Sequence, residues 1–258
     1  MKHVSILVPQ GPCSLVNIDG THQILTEVNR FMQKEGNDPV FDLNLVGLTK
    51  EPDQKNAIFS VQPSVDIHDI QKTDLIIIPA LFGDPKTAVE RNATFLPWIV
   101  DQYNKGAEVV SYCIGAFFLA STGLLKGKRC ATHWVAANDF RALFPDVNLV
   151  DDKIMTEEDR IYTSGGAYSY LNLLLYLIEK HAGRDMAILI SKTFMIDIDR
   201  KSQSPFIMFR GQKEHEDEPV KKAQEFIEQN YQEKITVDQL ADMLALGRRS
   251  LERRFKKA

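Results

Sequence analysis

The fold is decided by the stretch Val109-Val110-Ser111-Tyr112-Cys113-Ile114-Gly115. Its first residues are largely apolar at consecutive positions, which is typical of a central strand of a parallel sheet covered on both faces. The residues from Ile114 to about Leu124 favour a helix, so the chain turns sharply from strand to helix at Cys113. Such a turn exposes the side chain at its apex, and a helix N-terminus stabilises a thiolate. The sequence therefore predicts a nucleophile elbow with cysteine in place of serine.

Strand-like and helix-like stretches alternate on both sides of this turn. The predicted strands are His3–Pro9, Phe41–Leu48, Leu75–Pro79 and Glu108–Cys113, and the predicted helices are Thr21–Lys34, Asn92–Lys105, Tyr168–His181 and Asp185–Ile196. The segment Asn148–Thr163 predicts a hairpin with an acidic turn. This βαβα rhythm predicts an α/β fold, a flavodoxin-like parallel-sheet sandwich.

Composition excludes several classes of protein. The chain has 258 residues, enough for one large domain or two, and with 44% hydrophobic and 26% charged residues it resembles an average soluble globular protein. The longest strongly apolar stretch, Leu75–Phe82, is far short of the roughly 20 residues that cross a bilayer. Cys13, Cys113 and Cys130 form no CxxC pair, so neither a disulfide framework nor a zinc site is indicated. We expect a cytoplasmic protein without membrane contact, metal or cofactor.

The last part of the chain has a different character. Residues 210–218 contain no large apolar side chain and predict a linker. Pro219 then opens an amphipathic helix, and Thr236 with Gln239 forms a capping box for the next one. Residues 219–258 carry a net charge of +3 and residues 1–218 a net charge of −7, which makes up the total of −4. We expect a first domain over residues 1–208, a linker over 209–218 and a helix-turn-helix over 219–258.

The final helix has one apolar and one charged face. Leu251 and Phe255 lie four residues apart on the inner face. The outer face carries Arg249, Glu252, Arg253 and Lys256. A basic helix face attracts phosphates, although such a face is often only solvated.

The segments 235–241 and 246–256 resemble the start of an AraC/XylS-family DNA-binding domain, in which the second helix of each unit reads the major groove. By that resemblance the candidate DNA-binding residues are Arg248, Arg249, Glu252, Arg253 and Lys256. Gly247 stands where the family usually has serine. The family has two helix-turn-helix units and this chain has the first, so we expect a C-terminally truncated form.

Two further motifs accompany the cysteine. Thr132-His133-Trp134 and Thr163-Ser164-Gly165-Gly166-Ala167, taken with Cys113, resemble the PfpI-like superfamily, which is related to class I glutamine amidotransferases. The order of the two modules is similar to that of GlxA-like regulators. In enzymes of this superfamily the cysteine is assisted by a histidine and, in several branches, by an acidic residue after the first strand. The resemblance implies Cys113 and His133 as candidate catalytic residues.

Several positions depart from the enzymatic pattern. Asn17 aligns with the expected acidic position, with Asp19 two residues away as a substitute. Ile114 stands where hydrolytic relatives carry histidine, and Ala80-Leu81 replaces a Gly-Gly pair. These departures favour ligand binding over catalysis. We predict a pocket at the carboxyl ends of the strands, and its expected lining is Asn17, Asp19, Leu81, Cys113, Ile114, His133 and Gly165.

The leading hypothesis is a transcriptional regulator that binds promoter DNA and whose larger domain senses an unknown small effector, forms a homodimer, or does both. One alternative is a cysteine-dependent hydrolase, amidase or glyoxalase-like enzyme using Cys113. Another is a redox sensor in which oxidation of Cys113 is the signal.

Overall fold

The computed structural model describes residues 1–51, 59–198, 200, 202–206 and 215–257. The chain divides into two units, Met1–Ile207 and Met208–Ala258. Of the predicted linker, residues 209–214 lie outside the described part of the chain.

The larger unit contains a seven-stranded sheet and a separate two-stranded ribbon. The strands are β1 (Lys2–Leu7), β2 (Phe41–Gly47), β3 (Val65–Asp66), β4 (Leu75–Ile78), β5 (Glu108–Tyr112), β6 (Arg129–Cys130), β7 (Asn148–Leu149), β8 (Met155–Glu158) and β9 (Ile161–Ser164). The order in the sheet is β3-β2-β1-β4-β5-β9-β8. Every neighbouring pair is parallel except β8 with β9, while β6 and β7 form a separate parallel ribbon.

Helices connect these strands and form the smaller unit. Those of the larger unit are α1 (Leu15–Lys34), α2 (Pro85–Arg91), α3 (Phe95–Asn104), α4 (Gly115–Ser121), α5 (Ala137–Leu143), α6 (Tyr170–Ala182) and α7 (Arg184–Thr193). Those of the smaller unit are α8 (Glu218–Gln229), α9 (Val237–Met243) and α10 (Arg248–Lys257).

The sheet is covered on both faces. Ile77 of β4 belongs to a core shared with α1, α6 and α7. Its neighbours Ile76 and Ile78 belong to a second core, shared with α3, α4 and α5. All four residues of β4 are at most 2% exposed, which explains why this strand is apolar at consecutive positions. The predicted flavodoxin-like α/β sandwich is confirmed, together with a helical C-terminal region.

Some element boundaries differ from those that the sequence predicts. Helix α1 begins six residues before the expected Thr21, because the Ser14 side chain caps it by accepting from the Asn17 N–H. The helix expected over Asn92–Lys105 is α3, and the separate helix α2 precedes it. Asp84 caps α2 and Pro85 occupies its first turn, and these two residues were the signal that could have predicted it.

The predicted acidic hairpin is formed by β8 and β9, which pair antiparallel. Its two turn residues, Asp159 and Arg160, have φ of 48° and 64°. A pair of left-handed residues is typical of the tight turn whose twist matches that of the flanking strands.

The two edges of the sheet differ in length and in what covers them. At one edge, β3 has only two residues. At the other edge, β8 lies beside the ribbon strand β6: the Arg129 N–H donates to the Glu158 carboxylate at 2.8 Å, and the Thr156 hydroxyl contacts the Arg129 carbonyl at 3.5 Å.

A buried carboxylate lies at the amino end of β5. Glu108 accepts from Lys180 Nζ at 2.7 Å and from the Tyr162 hydroxyl at 2.7 Å, and His181 Nε2 lies 3.2 Å from its second oxygen. Burial alone would raise the pKa of Glu108, but the partners His181, Lys180 and Tyr162 outweigh that effect and hold the pKa at about 2. The group is therefore ionised in the folded protein and joins β5 and β9 to α6.

The smaller unit has its own core. Leu240 and Ala241 of α9 pack with Ala223 of α8 and Leu251 of α10. The predicted capping box at the start of α9 is present, with Thr236 and Gln239 each accepting from the other's backbone N–H.

Candidate functional site

Cys113 lies at the sharp turn between β5 and α4. Its φ is 55°, a left-handed value that non-glycine residues rarely adopt. Its N–H donates to the Ser164 carbonyl at 3.0 Å, and its carbonyl accepts from the Thr132 hydroxyl at 3.0 Å. A Cβ on Gly115 would lie 2.5 Å from the Pro79 carbonyl oxygen, so glycine lets α4 approach the end of β4. The predicted sharp turn from strand to helix is present, but the prediction that it exposes the Cys113 side chain is wrong.

The electrostatics of the elbow differ from the prediction. Cys113 is only 6% exposed. Burial raises the pKa of its thiol to about 11, and the Ile114 N–H offsets only part of that rise. The expectation that the helix N-terminus stabilises a thiolate is therefore wrong for this structure, because desolvation of the sulfur outweighs it. At neutral pH Cys113 is a protonated thiol.

His133 follows Thr132, the residue bonded to the Cys113 backbone. It caps a short 3₁₀ turn over Trp134–Ala136, with its Nδ1 accepting from the Val135 N–H at 3.2 Å. Partial burial lowers its pKa, so the ring is neutral at physiological pH. With Nδ1 accepting, the ring proton is assigned to Nε2, which leaves that nitrogen no lone pair to accept a proton. This arrangement does not suit a general base for the thiol.

The segments after β1 and β4 contribute three more of the predicted residues. Asn17 and Asp19 lie on α1, and Leu81 follows β4. Asn17 is 2% exposed, and its side-chain oxygen accepts from the Ala80 N–H at 3.2 Å, which anchors the chain leaving β4. Leu81 forms an isolated antiparallel bridge with Cys13. Asp19 is exposed. Asn17 thus occupies the expected acidic position in a structural role.

Gly165 is held against a residue that sequence analysis did not single out. Gln203 is 3% exposed, and its Oε1 accepts from the Gly166 N–H at 3.0 Å. Its Nε2 donates to the carbonyls of Thr132 at 3.0 Å and Asp151 at 2.8 Å. A Cβ on Gly165 would lie 2.6 Å from the Gln203 amide atoms, so only glycine fits beside it. A single glutamine in a polar segment gave no signal of this role.

Hydrogen bonds therefore connect three of the predicted regions at the carboxyl edge of the sheet. Thr132 contacts both Cys113 and Gln203, and Gln203 contacts Gly166 next to Gly165. The segments after β1 and β4 are also joined, because the Asn17 side chain accepts from the Ala80 N–H and Cys13 forms a bridge with Leu81. A 210 Å³ cavity lies at the same edge, lined by residues 10–12, 82–84, 87, 88 and 91, and it includes none of the predicted lining residues.

The second candidate site is the outer face of α10. Leu251 is 1% exposed and faces the core, whereas Arg249, Arg253 and Lys256 are exposed. No ion pair to these three cations occurs within the described residues. They remain available to an external anion.

The other two predicted DNA-binding residues are engaged within the smaller unit. Arg248 contacts Asp238 of α9 at 3.1 Å and Glu252 at 3.0 Å. Arg254, which sequence analysis did not select, contacts Asp217 at the N-cap of α8 at 2.8 Å. These pairs join α10 to both other helices of the unit.

The turn between α9 and α10 is short. Ala245 has a φ of 51°, and the Leu246 N–H returns to the Ala241 carbonyl at 2.9 Å. A Cβ on Gly247 would meet no atom within 4 Å. The family's usual serine would therefore fit at this position.

Neither a metal centre nor a membrane span is found in the described part of the chain. No group of three or more His, Cys, Asp or Glu residues there could hold a metal ion. No helix there is both long and apolar enough to cross a bilayer.

Comparison with known proteins agrees with the fold of the larger unit. The model of the DJ-1/PfpI family matches residues 27–180. The HTH-type transcriptional regulator GbdR of Pseudomonas aeruginosa is 27% identical over 208 residues, which are 76% of this chain and 53% of that protein. The chain thus spans about half the length of this relative.

An enzyme and a solved structure are also similar. Isonitrile hydratase of Pseudomonas putida is 26% identical over 153 residues, 59% of this chain and 64% of that protein. A crystal structure of a Vibrio parahaemolyticus protein, provisionally assigned as a transcriptional regulator, has a TM-score of 0.66 at 25% identity. It covers 76% of this chain and 99% of that one.

Proposed function

This chain belongs to the DJ-1/PfpI family, and we propose that within this family it is a DNA-binding transcriptional regulator rather than an enzyme. In this proposal residues 1–208 sense a small effector and mediate homodimerisation, and residues 219–258 bind promoter DNA in the cytoplasm. The similarity to the regulator GbdR supports it. The supporting observation within the molecule is the row of exposed cations on α10 that have no ion-pair partner among the residues that the structure describes.

The residues of α10 have different roles in this proposal. Arg249 and Arg253 lie one helical turn apart on the exposed face, a spacing that lets both reach neighbouring base edges or phosphates in a major groove. Lys256 continues the same face toward the phosphates. Arg248 is paired with Asp238 of α9 and with Glu252, so we assign Arg248 and Glu252 to holding α10 on α9 rather than to reading bases.

The proposal is tested by DNA binding. We expect the chain to bind the region upstream of its own gene, and Arg249→Ala or Arg253→Ala to weaken specific binding by ~1–3 kcal/mol, the usual discrimination of an arginine bidentate to guanine. The measurement is fluorescence anisotropy with labelled duplexes over a range of salt concentrations, because phosphate contacts make the affinity fall as salt rises.

Lys222→Ala is the matched control. Lys222 is an exposed cation on α8 of the same unit, so its removal changes the charge of the unit without touching α10. Binding that is absent, independent of salt, or weakened equally by Lys222→Ala and Arg249→Ala would reject the proposal.

A cysteine-dependent enzyme is the second candidate, favoured by the similarity to isonitrile hydratase. The raised pKa of Cys113 and the accepting Nδ1 of His133 oppose it, because a nucleophilic cysteine needs a thiolate or an adjacent base. Turnover of an isonitrile, amide or aldehyde that disappears in Cys113→Ala would establish it. The redox alternative requires peroxide to change DNA affinity in the parent and to leave Cys113→Ala unaffected.

A further inference from the structure

The cavity of 210 Å³ lies at the point where the strand order of the sheet reverses. The chain proceeds outward from β1 to β2 and β3, and then β4 continues on the other side of β1. Segments leaving two such strands diverge, and open α/β sheets bind ligands in the resulting crevice. Here the walls are the segments after β1 and β4, closed by α2.

These walls are fixed by hydrogen bonds. Asn92 is fully buried; its side-chain oxygen accepts from the Gln10 N–H at 2.7 Å and its amide donates to the Gln10 carbonyl at 2.9 Å. The Phe82 N–H donates to the Pro12 carbonyl at 2.8 Å. The cavity is therefore formed before any ligand arrives, which reduces the entropy that binding costs.

The cavity has opposite charges on its lining. The Arg91 guanidinium lies over Gly11, where a Cβ would be 3.2 Å from Nη1. No carboxylate pairs with Arg91 among the residues described. Asp84 also lines the cavity, and hydrogen bonds from the Thr87 N–H and hydroxyl lower its pKa and keep it charged. Phe82, 46% exposed, adds an apolar surface.

We propose that this cavity binds a small metabolite with a single carboxylate, held by the Arg91 guanidinium, while Asp84 repels a second negative charge. Arginine matches a carboxylate through two parallel N–H donors. The volume of 210 Å³ is below the ~300–1,000 Å³ of sites for drug-sized ligands, so it suits a molecule of few heavy atoms. The role of this molecule as effector rests on the proposed regulatory function, whereas its binding does not.

The test is an NMR titration of the whole 258-residue chain labelled with ¹⁵N-glycine. The probes are acetate and alanine, each with one carboxylate, succinate with two, and inorganic phosphate. We expect acetate and alanine to shift the amides of Gly11 and Gly83, which line the cavity, while Gly36 and Gly127 stay unchanged. Succinate and inorganic phosphate should bind more weakly, because each carries additional negative charge at neutral pH and Asp84 on the lining repels it.

Three variants connect the glycine shifts to the proposed contact. Arg91→Gln should weaken binding by about tenfold or more, since a hydrogen bond to a charged group is lost. Lys86→Gln removes the same charge from an exposed position of the same helix and should leave affinity unchanged. Arg91→Lys, which keeps the charge, should restore part of it.

The proposal is overturned if neither acetate nor alanine shifts Gly11 and Gly83, if Arg91→Gln binds as tightly as the parent, or if phosphate binds as well as acetate. Shifts at Gly115 and Gly165 instead would place the site beside Cys113. DNA binding measured on the same sample separates the two proposals: intact glycine shifts without DNA binding reject the regulator and keep the cavity.

Discussion

Cys113 combines a strained backbone with a buried side chain. A left-handed φ costs a non-glycine residue roughly 1–2 kcal/mol, and such strain concentrates at functional sites. The same turn that aims the side chain at the end of the sheet also encloses it, so that it is 6% exposed. Position and reactivity are therefore separate properties of this cysteine.

Reactivity of Cys113 is predicted to follow its raised pKa. Alkylation by iodoacetamide requires the thiolate, whose fraction rises tenfold per pH unit below a pKa of about 11. We expect the alkylation rate of Cys113 to keep rising between roughly pH 7 and pH 10, tracking that fraction. Peptide-level mass spectrometry distinguishes alkylation of Cys113 from alkylation of Cys13 and Cys130. A plateau near neutral pH would show a stabilised thiolate and favour the enzyme.

At the scale of elements, Gln203 connects three segments that lie outside the helices and strands. Its side chain bonds the backbone at Thr132, Asp151 and Gly166. The short stretch that carries it, ending in the turn Ser204–Phe206, is the last described part of the larger unit. The glutamine thus anchors the end of that unit beside the elbow.

Replacing Gln203 is predicted to destabilise the larger unit. Gln203→Met keeps the length of the side chain but leaves a buried N–H and several carbonyls unpaired, which should lower the free energy of unfolding by about 2–4 kcal/mol. Trp98 and Trp134 both belong to the larger unit, so urea unfolding followed by tryptophan fluorescence reports on it. Gln33→Met, at an exposed position of α1, should unfold like the parent. Equal stability of the two variants would contradict this role.

At this scale the sequence predicts some features well and others poorly. The apolar run of β4 and the turn at Cys113 are local, so both are readable from neighbouring residues. Which cations of α10 are paired could not be read from that helix alone, because the partner of Arg248 is Asp238, ten residues earlier. The contacts of Gln203 span 37 to 71 residues, beyond any local pattern.

On the scale of the whole molecule, acid stability should depend on Glu108. Its folded pKa of about 2 lies below the usual 4.5, so its contribution is full above about pH 4.5 and is lost as pH falls through 2. Glu108→Gln should lower the free energy of unfolding at pH 7 by ~2–3 kcal/mol, because Lys180 loses its partner. This difference should shrink between pH 4.5 and pH 3.

Glu90→Gln provides the control, since Glu90 is exposed on α2. Denaturant unfolding at several pH values measures all three proteins. If the parent and Glu108→Gln differ by the same amount at pH 3 and pH 7, the carboxylate does not carry the stabilisation.

The fold as a whole was predictable, since alternating strands and helices leave few arrangements of a parallel sheet. A pocket at the carboxyl edge of the sheet was also predicted, but the lining of the 210 Å³ cavity was not, because its walls are loops and its helix α2 was missed. The charge of the whole chain also concealed its distribution: the exposed cations of α10 belong to a segment of +3 in a protein of −4.

The two sheet edges limit how copies of this protein can associate. Because β3 has only two residues and β8 carries Glu157 and Glu158 beside β6, neither edge offers a long row of free backbone groups on which a strand of another molecule could grow. We therefore expect self-association to proceed through helices and loops. A continuous intermolecular sheet, the usual beginning of fibrillar aggregation, has no template in the described chain.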